Sequence, residues 1–104
     1  MSEPRVVNKG GGGSYDAYVG RPTIWGNPFF MKYDESDRDA VIVQYRDFLS
    51  RQPGFVERAQ RELKGKTLAC WCAPKACHAD ILLKVANDPR PVDEILSALT
   101  RGEI

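Results

Sequence analysis

The sequence predicts an α/β domain with a small, mainly parallel sheet of about three strands flanked by about four helices. Three short apolar segments at residues 5–8, 15–19 and 67–72 have the composition of strands. A long stretch with helical periodicity separates the second segment from the third, and crossovers of this kind connect parallel strands. We expect residues 1–104 to form a single domain, with a core over residues 5–87 and a C-terminal helix within residues 88–104.

Four helices follow from apolar residues that recur three and four positions apart. The first is expected over residues 37–51, after Ser36 as N-cap, and the second ends before Gly65, the expected left-handed C′ residue. The third begins near Cys77, and the last ends at Gly102. Their apolar stripes comprise Val41, Ile42, Tyr45, Phe48 and Leu49; Phe55, Val56, Ala59 and Leu63; Ile81, Leu82, Val85 and Ala86; and Val92, Ile95, Leu96 and Leu99.

Composition narrows the class of protein. Hydrophobic residues make up 42% of the chain and charged residues 28%, as in ordinary globular domains. A net charge of +1 does not favour a nucleic-acid partner held by bulk electrostatics, although a local basic patch stays open. Three cysteines cannot all pair within one chain, so we expect a reducing, cytoplasmic compartment, that of the host if a phage encodes the chain. No segment predicts a signal peptide or membrane span.

Two loops carry unusual composition. Gly10 to Gly13 lack the Gly-Lys-Ser/Thr that a phosphate-binding P-loop needs, so a flexible turn is favoured there. Residues 20–30, GRPTIWGNPFF, contain turn residues and much apolar area, which predicts a loop packed against the core. Such packing would fix Arg21 and Asn27, either as ligand contacts beside Trp25 or as parts of a structural loop.

The candidate site is a cluster of the three cysteines and the single histidine, which fall within nine residues at a strand–helix junction. A structural zinc site would use Cys70, Cys72, Cys77 and His78, although the spacing departs from common zinc knuckles. A thiol or anion site would use Cys77 at the helix N-terminus, with His78 as acid or base. A purely structural cluster is the third alternative, with Cys70 as a small buried hydrophobe.

The same reasoning extends to the neighbouring residues. Trp71 points away from Cys70 and Cys72 on a strand and is expected in the core. Asp80 is a ligand candidate, but capping of the helix N-terminus is favoured because it does not face His78 on a helix. If the strands at 15–19 and 67–72 are parallel, their following loops share one sheet edge. That arrangement predicts Arg21, Trp25 and Asn27 near Cys72, Lys75, Cys77 and His78.

The blocks VGRPTIWGNPF and CWCAPKACHAD resemble those of a bacterial and phage family, domain of unknown function 4326. The matching residues are Gly20, Arg21, Trp25, Gly26, Asn27, Pro28, Phe29, Cys70, Trp71, Cys72, Pro74, Cys77, His78 and Asp80. The resemblance covers residues 6–86 and implies no established activity. It suggests that the two blocks form one site, and phage membership associates that site with nucleotides.

The function that the sequence favours is a strand-end pocket for a phosphorylated or nucleotide-like small molecule. Arg21 and Lys75 would hold the anion, while Cys77, His78 and Cys72 would be the reactive or lining residues. No cofactor is expected unless zinc occupies the cluster, and the residues leave open whether the site is catalytic. The alternative is a non-catalytic module that engages a host protein through residues 92–99 or the aromatic loop.

Overall fold

The structure, a computed structural model, describes residues 4–21, 23–28, 38–71 and 77–104. The elements follow in the order β1 (Val6–Asn8), β2 (Ala17–Tyr18), α1 (Arg38–Ser50), α2 (Pro53–Leu63), β3 (Leu68–Cys70), α3 (His78–Asn87) and α4 (Val92–Thr100). A short 3-10 turn, Lys9–Gly11, follows β1 directly. This arrangement confirms the predicted α/β fold.

The sheet has the strand order β1-β3-β2, and both outer strands run parallel to β3. Val6 and Ala17 flank Leu68 on either side, and Asn8 pairs with Cys70. All three residues of β3 are buried, as expected for the central strand of a parallel sheet. The outer strands are shorter than the predicted segments: β1 lacks residue 5, and β2 lacks residues 15, 16 and 19.

The helix boundaries follow local chemistry. Pro53 occupies the first turn of α2, where a missing N–H costs nothing, so the predicted break at residues 52–54 is also the start of this helix. Gly65 follows α2 with a φ of 75°, which glycine adopts at little cost and which matches its predicted role. The predicted N-cap Ser36 lies outside the described residues.

The helices enclose one continuous apolar cluster. Helix α2 packs on α3, and α1 packs on α4. Tyr45, Leu49, Leu82 and Ile95 are each fully buried in this cluster. Complete burial of an aliphatic side chain of this size stabilises the fold by about 1.5–3 kcal/mol.

Helix α4 belongs to this cluster. Ile95 and Leu99 are buried, and Leu96 is half-buried. Ile95 and Leu99 are thus part of the chain's own core, and the alternative that residues 92–99 engage a host protein stays a prediction. Substitution of Leu99 would perturb the core and would not report on partner capture.

The glycine run forms a specific turn after β1. The Asn8 side chain accepts a hydrogen bond from the Gly10 N–H at 2.8 Å, which starts the 3-10 turn. Gly12 ends this turn with a φ of 81°, a conformation that favours glycine. Residues 10–14 are exposed. The turn therefore projects from the sheet edge at which β1 ends.

Candidate functional site

The carboxyl ends of all three strands meet at one edge of the sheet, which we call the strand-end edge (residues 8–10, 18–21 and 70–71). Asn8 pairs with Cys70, and the Val19 N–H donates to the Ala69 carbonyl oxygen at 2.9 Å. In open parallel sheets, ligands bind outside the carboxyl ends of the strands. The strand-end edge is thus the place where parallel topology leads us to look for a site.

His78 fastens the first turn of α3 to this edge. Its Nε2 lies 2.7 Å from the Val19 carbonyl oxygen. Because a carbonyl only accepts, Nε2 carries the hydrogen, and Nδ1 of the neutral ring is an acceptor. Burial lowers the pKa of His78, and the positive charge of Arg21 lowers it further, while the Val19 carbonyl and Asp80 act in the opposite direction. His78 is therefore a neutral imidazole at neutral pH.

Cys77 is the N-cap of α3 and shares a capping box with Asp80. The Cys77 N–H donates to Asp80 Oδ2 at 3.0 Å, and the Ala79 N–H lies 3.5 Å from the Cys77 sulfur. These contacts satisfy N–H donors that the helix leaves unpaired. The positive end of the helix dipole also stabilises the negative charge of the Asp80 carboxylate. The favoured capping role of Asp80 is what the structure displays.

Two thiols and the imidazole form a buried row. The sulfur atoms of Cys70 and Cys77 lie 2.9 Å apart, and Cys77 Sγ lies 3.4 Å from His78 Nδ1. Since Nδ1 is an acceptor, the Cys77 S–H can donate to it and the Cys70 S–H to the Cys77 sulfur. Both cysteines are almost completely buried. Cys70 is buried, as expected, and whether it serves only as a small hydrophobe stays a prediction.

Tyr45 joins the aromatic loop to this row, a connection that the sequence did not reveal. Its hydroxyl donates to the Trp25 carbonyl oxygen at 2.9 Å, and its ring meets the His78 ring edge-on with centroids 5.1 Å apart. Burial raises the pKa of Tyr45, which keeps the phenol protonated as a donor. The sequence did contain a signal for this connection, because Tyr45 lies in the apolar stripe of α1. A buried phenol needs a polar partner, so this position could have predicted a buried hydrogen bond.

The aromatic loop is packed, as predicted, in its described part. Trp25 is buried, and its ring centroid lies 4.8 Å from that of Phe55. Asn27 is also buried and donates from Nδ2 to the Val41 carbonyl oxygen at 3.1 Å. Ile24 by contrast is 53% exposed. Trp25 and Asn27 therefore hold the loop against α2 and α1.

Arg21 lies on the exposed side of this loop, next to the end of β2. Its main-chain oxygen accepts a hydrogen bond from the Tyr18 hydroxyl at 2.7 Å. Burial is the main cause of the lowered pKa of His78, and the Arg21 charge acts in the same direction. The hydrogen bond between Val19 and His78 brings the residues that follow β2, among them Arg21, to the start of α3.

Not every candidate falls within the described residues. Cys72 and Lys75 lie outside them, so their predicted roles as reactive residue and anion contact stay predictions. Among residues 4–21, 23–28, 38–71 and 77–104, no group of three or more His, Cys, Asp or Glu side chains is arranged to hold a metal ion. Both ring nitrogens of His78 are also engaged by protein atoms.

Trp71 is exposed, and the prediction that it lies in the core is wrong. Its side chain is 60% exposed. Strand β3 ends at Cys70, so the strand alternation that would bury the next side chain no longer applies. The Asn8 side chain donates to the Trp71 carbonyl oxygen at 3.0 Å, and the Lys9 Nζ lies 5.1 Å from the ring centroid. Trp71 therefore belongs to the surface of the strand-end edge.

The chain belongs to the family described as Domain of unknown function (DUF4326), whose family model matches residues 7–88. It is similar to the "Uncharacterized 12.4 kDa protein in nrdA-td intergenic region" of Enterobacteria phage T4. The two are 38% identical over 86 residues, which cover 80% of this chain and 77% of the relative. No solved structure matches the chain.

These findings confirm the family resemblance, and both sequence blocks lie within the matched residues. The matched range ends before α4 begins. None of the described helices combines the length and the hydropathy that crossing a bilayer requires.

Proposed function

We propose that the strand-end edge binds a small phosphorylated, nucleotide-like molecule. The observation that supports this proposal is the position of Arg21 at the strand-end edge. It stands two residues after Val19, whose carbonyl oxygen lies 2.7 Å from Nε2 of His78 at the start of α3. A guanidinium presents a planar fork of donors that matches phosphate oxygens. Placed where parallel sheets bind ligands, it gives the edge a specific anion contact.

Cationic side chains have to supply most of the anion contacts. The N-terminus of a helix attracts anions through its unpaired N–H groups. In α3, however, the capping box already engages the N–H groups of Cys77 and Ala79. We therefore assign the phosphate to Arg21 and to Lys75, the cation that the sequence places between β3 and α3.

Cys77 and His78 would then act beneath the ligand. Both side chains are buried, and the imidazole is neutral because burial and Arg21 lower its pKa. A neutral imidazole that accepts from a thiol can serve as a base once a substrate is present. A reaction at Cys77, with Cys72 as a further reactive or lining residue, stays a prediction. Ligand binding has to be measured before this reaction is tested. Because three cysteines cannot all pair within one chain, we place the protein in a reducing cytoplasm.

A binding titration with Arg21→Gln tests the proposal. Nucleoside monophosphates and ribose 5-phosphate are titrated into the wild type and the variant by calorimetry. Hydrogen bonds to charged groups contribute about 1.5–3 kcal/mol, so we expect affinity to fall about tenfold or more. Arg51→Gln is the matched control, because Arg51 is an exposed arginine paired with Asp47 at the end of α1.

Arg51→Gln should bind like the wild type. Equal binding by the wild type and Arg21→Gln would remove Arg21 from the site, and no binding of any phosphate would reject the proposed function. Metal analysis of the same sample addresses the zinc alternative. One zinc per chain would make the cluster of Cys70, Cys72, Cys77 and His78 structural.

A further inference from the structure

We infer that Trp71 and Lys9 form a subsite for the nucleobase of the ligand, an inference that rests on the proposed function and names the part of the ligand that is read. Trp71 leaves the carboxyl end of the central strand, and Lys9 leaves that of β1. The two therefore stand at the strand-end edge, on which Arg21 also lies.

The exposure of Trp71 is the first observation. A side chain of this size ordinarily contributes to stability by burial, and Trp25 in the same chain is only 6% exposed. Trp71 is 60% exposed although it directly follows the fully buried Cys70. An exposed indole offers a flat π surface, and stacking on such surfaces is how proteins hold bases in many nucleotide and single-strand sites.

The second observation is that the indole is held in place. The Lys9 ammonium lies 5.1 Å from the ring centroid of Trp71 and also 5.1 Å from that of Tyr18. A cation in this position is attracted by both rings. The Asn8 side chain fixes the Trp71 main chain by donating to its carbonyl oxygen at 3.0 Å.

Gly10 completes this support. A Cβ atom at Gly10 would lie 3.0 Å from Cζ3 of the Trp71 ring, so a side chain there would press on the indole. The absence of a side chain at this position lets the turn after β1 lie close to the ring. Trp71 thus contacts Lys9 and Gly10 and keeps more than half of its surface open.

The third observation links this subsite to the anion contact. Tyr18 lies beneath the Lys9 ammonium, and its hydroxyl donates to the Arg21 carbonyl oxygen at 2.7 Å. Tyr18 thus contacts the Lys9 ammonium and the main chain of Arg21. A ligand with a planar ring and a phosphate, which is the description of a nucleotide, places its ring on Trp71 and its phosphate toward Arg21.

Binding assays with ligands that lack one half of a nucleotide test this subsite. AMP, adenosine and ribose 5-phosphate are titrated into the wild type, Trp71→Ala and Trp71→Phe, with calorimetry as the affinity readout. We expect AMP to bind about tenfold or more tightly than ribose 5-phosphate, because base stacking on an aromatic side chain has this magnitude. Trp71→Ala should abolish this ratio and leave ribose 5-phosphate binding unchanged, whereas Trp71→Phe should retain most of it.

Intrinsic fluorescence gives a second, independent readout. The chain contains two tryptophans, of which Trp25 is buried and Trp71 is exposed. Adenosine and AMP should quench the Trp71 emission and leave the emission of Trp71→Ala, which retains Trp25, unchanged. Lys9→Met should weaken AMP binding and make the Trp71 emission more accessible to acrylamide, a neutral quencher.

The outcomes separate this inference from the proposed function. If ribose 5-phosphate and AMP bind equally to the wild type, or if Trp71→Ala keeps the ratio, the base subsite is rejected and the anion site stands. If adenosine binds with quenching and ribose 5-phosphate does not bind, the subsite stands and the anion assignment fails. If none of the three ligands binds, both are rejected.

Discussion

The Nε2 atom of His78 lies 2.7 Å from the carbonyl oxygen of Val19, although 59 positions separate the two residues. Val19 directly follows β2, and His78 is the first residue of α3. This hydrogen bond therefore sets the distance between the loop that carries Arg21 and the helix that follows the central strand. A buried donor–acceptor pair of this kind is costly to break on one side only.

His78→Ala should lower the free energy of unfolding by about 1–3 kcal/mol, because it leaves the Val19 carbonyl without its donor and opens a cavity beside Tyr45. His78→Gln should recover part of this loss, since its side-chain amide N–H can reach toward the same carbonyl. Urea unfolding followed by circular dichroism measures both values. Equal stability of the two variants would mean that the Val19 hydrogen bond contributes little.

The lowered pKa of His78 predicts a loss of stability in mild acid. Burial, the largest cause, holds the pKa of His78 in the folded chain below the ordinary value of 6.5. As pH falls below 6.5, His78 takes up a proton in the unfolded chain first. Proton binding therefore stabilises the unfolded state relative to the folded state. The contribution of neutral His78 is fully present above pH 6.5 and is lost as pH falls through the folded pKa.

Urea unfolding of the wild type and His78→Gln over a series of pH values from about 8 to 5 isolates this effect, since glutamine does not titrate. The wild type should lose stability more steeply than the variant below the ordinary pKa. Parallel curves would show that the folded and unfolded chains bind a proton at His78 equally well.

The sequence predicted most of the fold because its signals are local. Apolar spacing predicted the helices, and the long crossover predicted parallel strands. The contacts within the candidate site were harder to predict from the sequence. The bond from His78 to Val19 and the contact between Lys9 and Trp71 depend on which strands are neighbours and in which register they pair.

Trp71 is the clearest example of this limit. Strand alternation predicted that Trp71 is buried, but β3 ends at Cys70, one residue before Trp71, and the Trp71 side chain is exposed. The apolar stripe of α4 was correctly predicted to be amphipathic. A stripe does not indicate whether it faces the chain's own core or a partner, and packing against α1 decides in favour of the core.

Gly26→Ala should destabilise the aromatic loop. A Cβ at Gly26 would lie 2.8 Å from Arg21 Cγ and 3.0 Å from the Arg21 main-chain nitrogen, so the backbone has to shift. Strain of this kind costs about 1–3 kcal/mol. Thermal unfolding should show a lower Tm, and phosphate affinity should fall because Arg21 moves.

Gly13→Ala is the matched control for this substitution. No heavy atom lies within 4 Å of a Cβ at Gly13, and its φ is not in the left-handed region. Its Tm should equal or slightly exceed that of the wild type, since alanine restricts the unfolded chain. If Gly26→Ala and Gly13→Ala unfold at the same temperature, the close approach of Gly26 to Arg21 is not a constraint on the loop.

Cys70 and Cys77 should resist alkylation in the folded protein. Their side chains are 1% and 3% exposed, so iodoacetamide reaches them only when the chain opens. Modification at each cysteine is followed by mass spectrometry with and without urea. Ser97→Cys supplies a reference, because position 97 is exposed on α4 and its thiol reports the rate of an accessible cysteine.

We expect Cys70 and Cys77 to react far more slowly than the thiol introduced at position 97 in the native variant, and at a comparable rate in urea. Slow reaction agrees with the row of thiols and neutral imidazole, in which Cys77 caps α3 and donates to His78. Fast native reaction at Cys77 that His78→Gln slows would contradict this expectation. It would mean that the helix N-terminus opens readily and that the imidazole activates the thiol even without a ligand.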